Sequence, residues 1–208
     1  MAPARARQHF EQAVAIATTV YGPDHPEVAH ILCDLGIVLG DLGDLAAARE
    51  VFERAVAIYQ AALGPGDPSI GAAFANLGEL LRRLGDPVGA RARLERALTT
   101  LQGNYGPDHP DLTTALGNLG VVLHDLGDLA GARARLEHAV ALEERASGPD
   151  EPEAAMLLTD LSAVLLDLGE IAEAQAQLER AVAVLQATIG ENHPETQRAQ
   201  RILRNLQG

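Results

Sequence analysis

The sequence predicts an all-α solenoid, a right-handed superhelix of stacked helix pairs, on three observations. The first is a marker at a fixed interval. Leu42-Gly43-Asp44-Leu45, Leu84-Gly85-Asp86-Pro87, Leu126-Gly127-Asp128-Leu129 and Leu168-Gly169-Glu170-Ile171 stand 42 residues apart. The second is a linker on the same interval, Gly22-Pro23-Asp24-His25-Pro26, with counterparts beginning at Gly64, Gly106, Gly148 and Gly190. The third is periodicity: apolar residues recur at helical spacing and no segment alternates with period 2. Residues 22–63 and 106–147 agree at 23 of 42 positions, and no insertion breaks the register. Self-similarity at such a period marks units that bury their apolar faces by stacking on neighbours.

The elements follow in order. Residues 3–20 read as a lone second helix, because Ala6, Phe10 and Ala13 align with Ala48, Phe52 and Ala55. Four repeats follow at 22–63, 64–105, 106–147 and 148–189, each a helix pair. In the first repeat Asp24 is the expected N-cap, with Pro26 in the first turn and Glu27 completing a capping box. Leu32, Leu35, Gly36 and Leu39 form one apolar face. Gly43 is placed to end the helix in the left-handed conformation. Asp44 caps the second helix, which carries Ala48, Phe52, Ala55, Val56 and Tyr59 to about Leu63, where Gly-Pro stops it. Leu77 and Leu119 should be buried in homologous sites. Residues 190–208 hold a final first helix, rich in Gln and Arg, that presents a polar cap to water. The total is ten helices in a single solenoid over residues 1–208, finished at its C-terminal end and unfinished at its N-terminal end.

Leu32, Leu35-Gly36, Leu39, Ala48, Phe52 and Ala55 carry a resemblance. With Phe74, Leu77-Gly78, Leu81, Ala90, Leu94, Ala97 and their third- and fourth-repeat counterparts, they match the spacing of the tetratricopeptide signature. The 42-residue length and the linker are similar to the repeats of kinesin light chains and of many bacterial signalling proteins. The pattern departs at Ser162, where Gly is expected, and at Gly66, where the Asp cap is expected. The resemblance implies a cytoplasmic, non-enzymatic scaffold that binds a protein or an extended peptide.

Composition narrows the function further. The 208 residues include 16 Arg and no Lys, against 29 Asp and Glu, for a net charge of −13. Without Lys there is no Schiff-base lysine and no P-loop. A duplex-binding surface needs clustered basic residues, so nucleic acid is not an expected partner. No apolar run reaches the roughly 18 residues of a membrane span. The single Cys33 has no intrachain disulfide partner. His25, His109 and His193 share one linker position and suit a turn. His30 and His124 lie on first helices without metal-ligand spacing, and His9 and His138 read as solvated. The carboxylates repeat with the unit, as architectural residues do. Neither a catalytic residue, a metal site nor a cofactor is expected.

The first-helix face opposite Leu32 and Leu35 remains for binding, and the resemblance places it in the concave groove. The ladder Asp34, Asn76, Asn118 and Asp160 runs through the register, and in similar proteins an Asn there hydrogen-bonds a peptide backbone. Cys33, Ala75, Gly117 and Thr159 beside it are small and should leave room above the ladder. His30, Ile37, Glu79, Arg82, Val121, His124, Met156 and Leu166 would tune specificity. Net charge by repeat runs −5, +1, −4 and −7, which favours a partner that is basic toward the fourth repeat. A second reading is self-association, as a homodimer through Phe10, Ala13 and Val14 of the unpaired N-terminal helix. A third, compatible with the first, is the C-terminal sensor array of a larger bacterial signalling protein.

Overall fold

The computed structural model describes residues 2–207. Among them are ten α-helices and no strand, in the predicted register. Helix α1 spans Ala2–Tyr21, longer at both ends than expected. The first helices of the repeats are α2 (Pro26–Asp41), α4 (Pro68–Arg83), α6 (Thr113–Asp125) and α8 (Pro152–Asp167). The second helices are α3 (Leu45–Leu63), α5 (Pro87–Tyr105), α7 (Leu129–Ala146) and α9 (Ile171–Thr188), and α10 covers Pro194–Gln207. Three boundaries depart from the 42-residue interval: α7 and α9 each end one residue earlier than α3 and α5 do, and Pro110–Leu112 form a 3-10 turn ahead of α6, a tighter winding common at helix starts. The chain divides into two compact units, Met1–Gly106 and Pro107–Gly208, with the division inside a repeat linker.

The residue that opens each first helix is not the expected one. The N-cap of α2 is His25, and its Nδ1 accepts the Glu27 N–H at 3.2 Å. His109 and His193 do the same for Asp111 and Glu195 at 3.2 and 3.3 Å. In the second repeat Asp67 stands in this place and accepts from Ser69 N–H at 2.9 Å. Asp24 is one residue too early to cap, which is why Gly66 is tolerated at its counterpart. Glu151, in the fourth repeat, makes no side-chain cap bond.

The turn within each pair follows the sequence. Gly43 adopts φ 79°. Its N–H bonds Gly40 O, and that of Asp44 bonds Leu39 O at 2.9 Å, the Schellman pattern. Asp44, Asp86 and Asp128 cap the second helices. Glu170 is the exception: Arg133 binds both its oxygens at 2.7 Å, and it does not cap α9. Arg133 also holds Glu137 one turn along α7 at 2.6 Å. Arg7 makes the same two contacts, to Glu11 and to Asp44. These repeated ion pairs tie a second helix to the cap of the next one.

Small residues set the packing. Ala48, Ala55, Ala90, Ala97, Ala132, Ala139, Ala174 and Ala181 are all fully buried. At Gly36, Gly78 and Gly120 the side chains of Phe52, Leu94 and Leu136 occupy the space a Cβ would need. Ser162 fits the same place because its hydroxyl turns back to donate to Leu158 O at 2.7 Å, and α8 passes through it unbroken. Leu77 and Leu119 are buried as expected. Among the described residues no helix is long and apolar enough to cross a membrane.

Candidate functional site

Each unit contains a hollow between consecutive first helices, floored by the second helix between them. In the first unit Asp34 on α2 and Asn76 on α4 line a cavity of about 230 Å³, together with His30, Cys33, Ile37 and Tyr59. In the second unit Asn118 on α6 and Asp160 on α8 line one of about 200 Å³, with Thr113, Glu143, Glu153 and Met156. The linings correspond at an 84-residue offset. Asp34 matches Asn118, Tyr59 matches Glu143, Ser69 matches Glu153, Ala72 matches Met156 and Asn76 matches Asp160.

All four ladder residues are half-buried rather than fully solvated. Asp160 is already engaged: Arg198 of α10 reaches back to its Oδ1 and also holds Glu195 at 3.4 Å. The C-terminal helix therefore does more than present a polar face to water. The small neighbours of the ladder divide: Cys33 and Gly117 border the two hollows, whereas Ala75 and Thr159 line neither. Ala75, Gly117 and Thr159 are buried, and a Cβ on Gly117 would lie 2.7 Å from Leu157 Cδ2. At Gly117 the neighbouring helix α8 presses on the position and leaves no room for a side chain. Thr159 spends its hydroxyl on Ala155 O at 2.9 Å.

The specificity residues divide. Ile37 borders the first hollow and Met156 the second. Glu79 borders a separate, smaller hollow that Ile37 and Asn76 share, together with Arg83, which donates to Gly40 O at 2.7 Å. His124 is bonded to Asp167 at 2.7 Å, at the repeat position where Arg83 holds Gly40. Arg82, Val121, His124 and Leu166 line none of these hollows. His138 is not simply solvated, since its Nε2 lies 3.4 Å from Asp108.

Tyr59, Ser69, Thr113, Glu143 and Glu153 were missed by sequence reasoning. Glu143 had a readable signal: its counterparts Tyr59, Leu101 and Leu185 are large and buried, so a lone carboxylate there breaks the repeat. Burial, and then the nearby Asp34 charge, pushes the Cys33 thiol up to about 12. Burial foremost, with Cys33 and Asp34 adding to it, also raises the Tyr59 phenol above its ordinary range. Both groups are neutral in the first hollow, and neither is an activated nucleophile.

The tetratricopeptide repeat family model matches residues 3–61, 69–145 and 111–187. The chain belongs to the tetratricopeptide repeat family. Its fold is the all-α tetratricopeptide-like solenoid. BtubC (BKLC) from P. vanneervenii is similar with a TM-score of 0.75 at 22% identity, over 92% of this chain and 76% of that one. A Podosopora anserina protein designated a kinesin light chain, with nearly identical TPR-like repeats, gives 0.68 at 24% identity over 89% and 88%. A variant of that protein gives 0.70 at 24% identity over the same shares. No curated protein matches the sequence. Tetratricopeptide arrays are protein-interaction scaffolds, and that coarse role comes with the family.

Proposed function

We propose that this chain is a non-enzymatic scaffold that binds extended peptide segments of a partner protein across the paired first helices of each unit. The observation that supports this most is the pair of register-matched hollows, each flanked by two ladder residues from consecutive first helices. Asn76 and Asn118 carry a donor and an acceptor each, so they can pair with a peptide backbone whatever its side chains. Asp34 only accepts when ionised and suits a backbone N–H or a cationic side chain. An extended chain advances about 3.3 Å per residue. Packed helices stand roughly 8–10 Å apart, so each first helix meets about three ligand residues.

The test is selection of peptides from a random phage-displayed library, followed by calorimetric titration of the selected peptide. Replacing Asn76 and Asn118 by Ala should weaken binding by about 1–3 kcal/mol, at roughly 0.5–1.5 for each hydrogen bond, with the melting temperature little changed. Equal affinities would place the binding surface elsewhere.

Self-association is the second reading, and one observation favours it. On α1, Ile16 and Val20 are each 65% exposed, and Phe10, Ala13 and Val14 are only half covered. Their counterparts Phe52, Ala55 and Val56 are buried. A stripe of this kind can pair with a second copy. Sedimentation velocity over a concentration series separates the two readings, because only self-association makes the sedimentation coefficient rise with concentration.

A further inference from the structure

The two hollows share a frame and differ in chemistry. Tyr59, Ser69 and Asn76 of the first become Glu143, Glu153 and Asp160 in the second, which raises the acidic residues around it to three. Counter-charges are unevenly supplied. Glu144 is held by Arg180 at 2.6 Å and Asp160 by Arg198. Among the described residues neither Glu143 nor Glu153 has an ion-pair partner. The three carboxylates do not gather as a metal-binding cluster. A second, independent observation concerns Thr113. It lines the same hollow, is only 8% exposed, and its Oγ1 has no hydrogen-bond partner. Buried hydroxyls are ordinarily paired, and this one, on a residue that lines the hollow, is not. The surrounding unit is strongly acidic, with seven Arg against 17 Asp and Glu in residues 107–208.

We propose that the second hollow is a pocket for an arginine side chain of the bound peptide. The proposal rests on the peptide-scaffold reading and names the chemistry of its partner. Met156 and Leu157 offer an apolar wall for the methylene stem. Glu143 and Glu153 supply unspent acceptors for the guanidinium, whose planar fork matches carboxylates. Thr113 Oγ1 can accept a remaining N–H, and Asn118 is left for the peptide backbone. The protein already makes one bond of this type: Arg198 brings a guanidinium to Asp160 from the repeat position equivalent to Met156. The first hollow, with Tyr59 in place of Glu143 and Ser69 in place of Glu153, has no such preference.

Methionine reports the event directly. The sequence contains two Met residues, Met1 and Met156, so ε-13C-methionine labelling gives one signal from the hollow and one internal reference. The probes are short Ala/Ser peptides of one length with a single central Arg, Lys, citrulline or Glu. The Arg peptide should shift the Met156 signal and saturate. Citrulline, which keeps the shape without the charge, should bind about tenfold more weakly, and Glu should not bind. The Lys peptide should bind more weakly than Arg, because an ammonium cannot bridge two carboxylates with a planar fork. Glu143→Gln with Glu153→Gln should remove the preference for Arg over citrulline while the circular dichroism spectrum is unchanged. If all four peptides shift Met156 equally, or the double variant keeps the preference, the arginine pocket is wrong and the peptide scaffold stands. If no peptide shifts Met156 although the library-selected peptide binds by calorimetry, the arginine pocket is wrong and the peptide scaffold stands; if the library yields no binder either, both readings fall.

Discussion

Replacing Gly120 by Ala tests the packing logic, because two known effects oppose each other there. Gly in a helix interior costs about 1 kcal/mol relative to Ala, so the substitution should stabilise unless space forbids it. A Cβ on Gly120 would lie 2.5 Å from Leu136 Cγ, 3.1 Å from its Cδ2 and 3.3 Å from Ala132 O. Cγ is a branch point, not the free end of a side chain, and Leu136 is fully buried, so it has nowhere to swing. Overpacking of this kind costs about 1–3 kcal/mol. We place Gly120→Ala in the upper part of that range, which leaves a net loss of about 1–2 kcal/mol. Gly103 in α5 is the control, since nothing lies within 4 Å of its Cβ position. Gly103→Ala should stabilise by about 0.5–1 kcal/mol. Urea denaturation followed by far-ultraviolet circular dichroism reads both, and the midpoints should move in opposite directions. In a Leu136→Ala background the loss at Gly120 should largely disappear, since only Ala132 O, at 3.3 Å, still crowds the Cβ. A Gly120→Ala protein as stabilised as Gly103→Ala would refute the close approach of α6 and α7.

Two further outcomes follow from local chemistry. Cys33 is raised from 9.0 to about 12, so the folded protein keeps its proton at pH values where the unfolded chain has lost it. The stability this contributes is complete below about pH 9 and is lost as pH rises toward 12; Cys33→Ala should flatten that decline in urea midpoints, and at pH 8 the native thiol should react with a disulfide reagent far more slowly than the unfolded one. His193→Ala removes the acceptor for Glu195 N–H and should cost about 1 kcal/mol, read as a lower melting temperature. His193→Asp should keep the cap, as Asp67 does for Ser69.

The repeat boundaries were legible because punctuation residues act locally. Gly43 and Asp44 do their work within one turn, and their pattern survives translation by 42 residues. Composition favours Asp24 as the cap because Asp is the stronger capping type, but the choice between neighbouring residues is made by the backbone ahead of Pro26, which selects His25. The ladder positions could be located in sequence, but their surroundings could not. Whether Gly117 faces open space or Leu157 depends on how one helix pair stacks on the next, and no periodicity encodes that distance. The engagement of Asp160 by Arg198 was hidden for a similar reason: the two residues are 38 positions apart and meet only across a helix interface. Glu143 was recoverable in principle, as a carboxylate standing where the other repeats place a large buried side chain.

The 84-residue offset between the hollows has a bearing on how such a protein can change. Positions 69, 72 and 76 and their counterparts 153, 156 and 160 differ at every site, yet α4 and α8 have the same length and end in the same Leu-Gly turn. The framework alanines and the turn glycines are a separate set of residues. Recognition can therefore drift by point mutation on a scaffold whose folding instructions stay untouched. A whole unit could likewise be duplicated and given new selectivity afterwards. The same separation offers a designer three codons per hollow at which to randomise affinity.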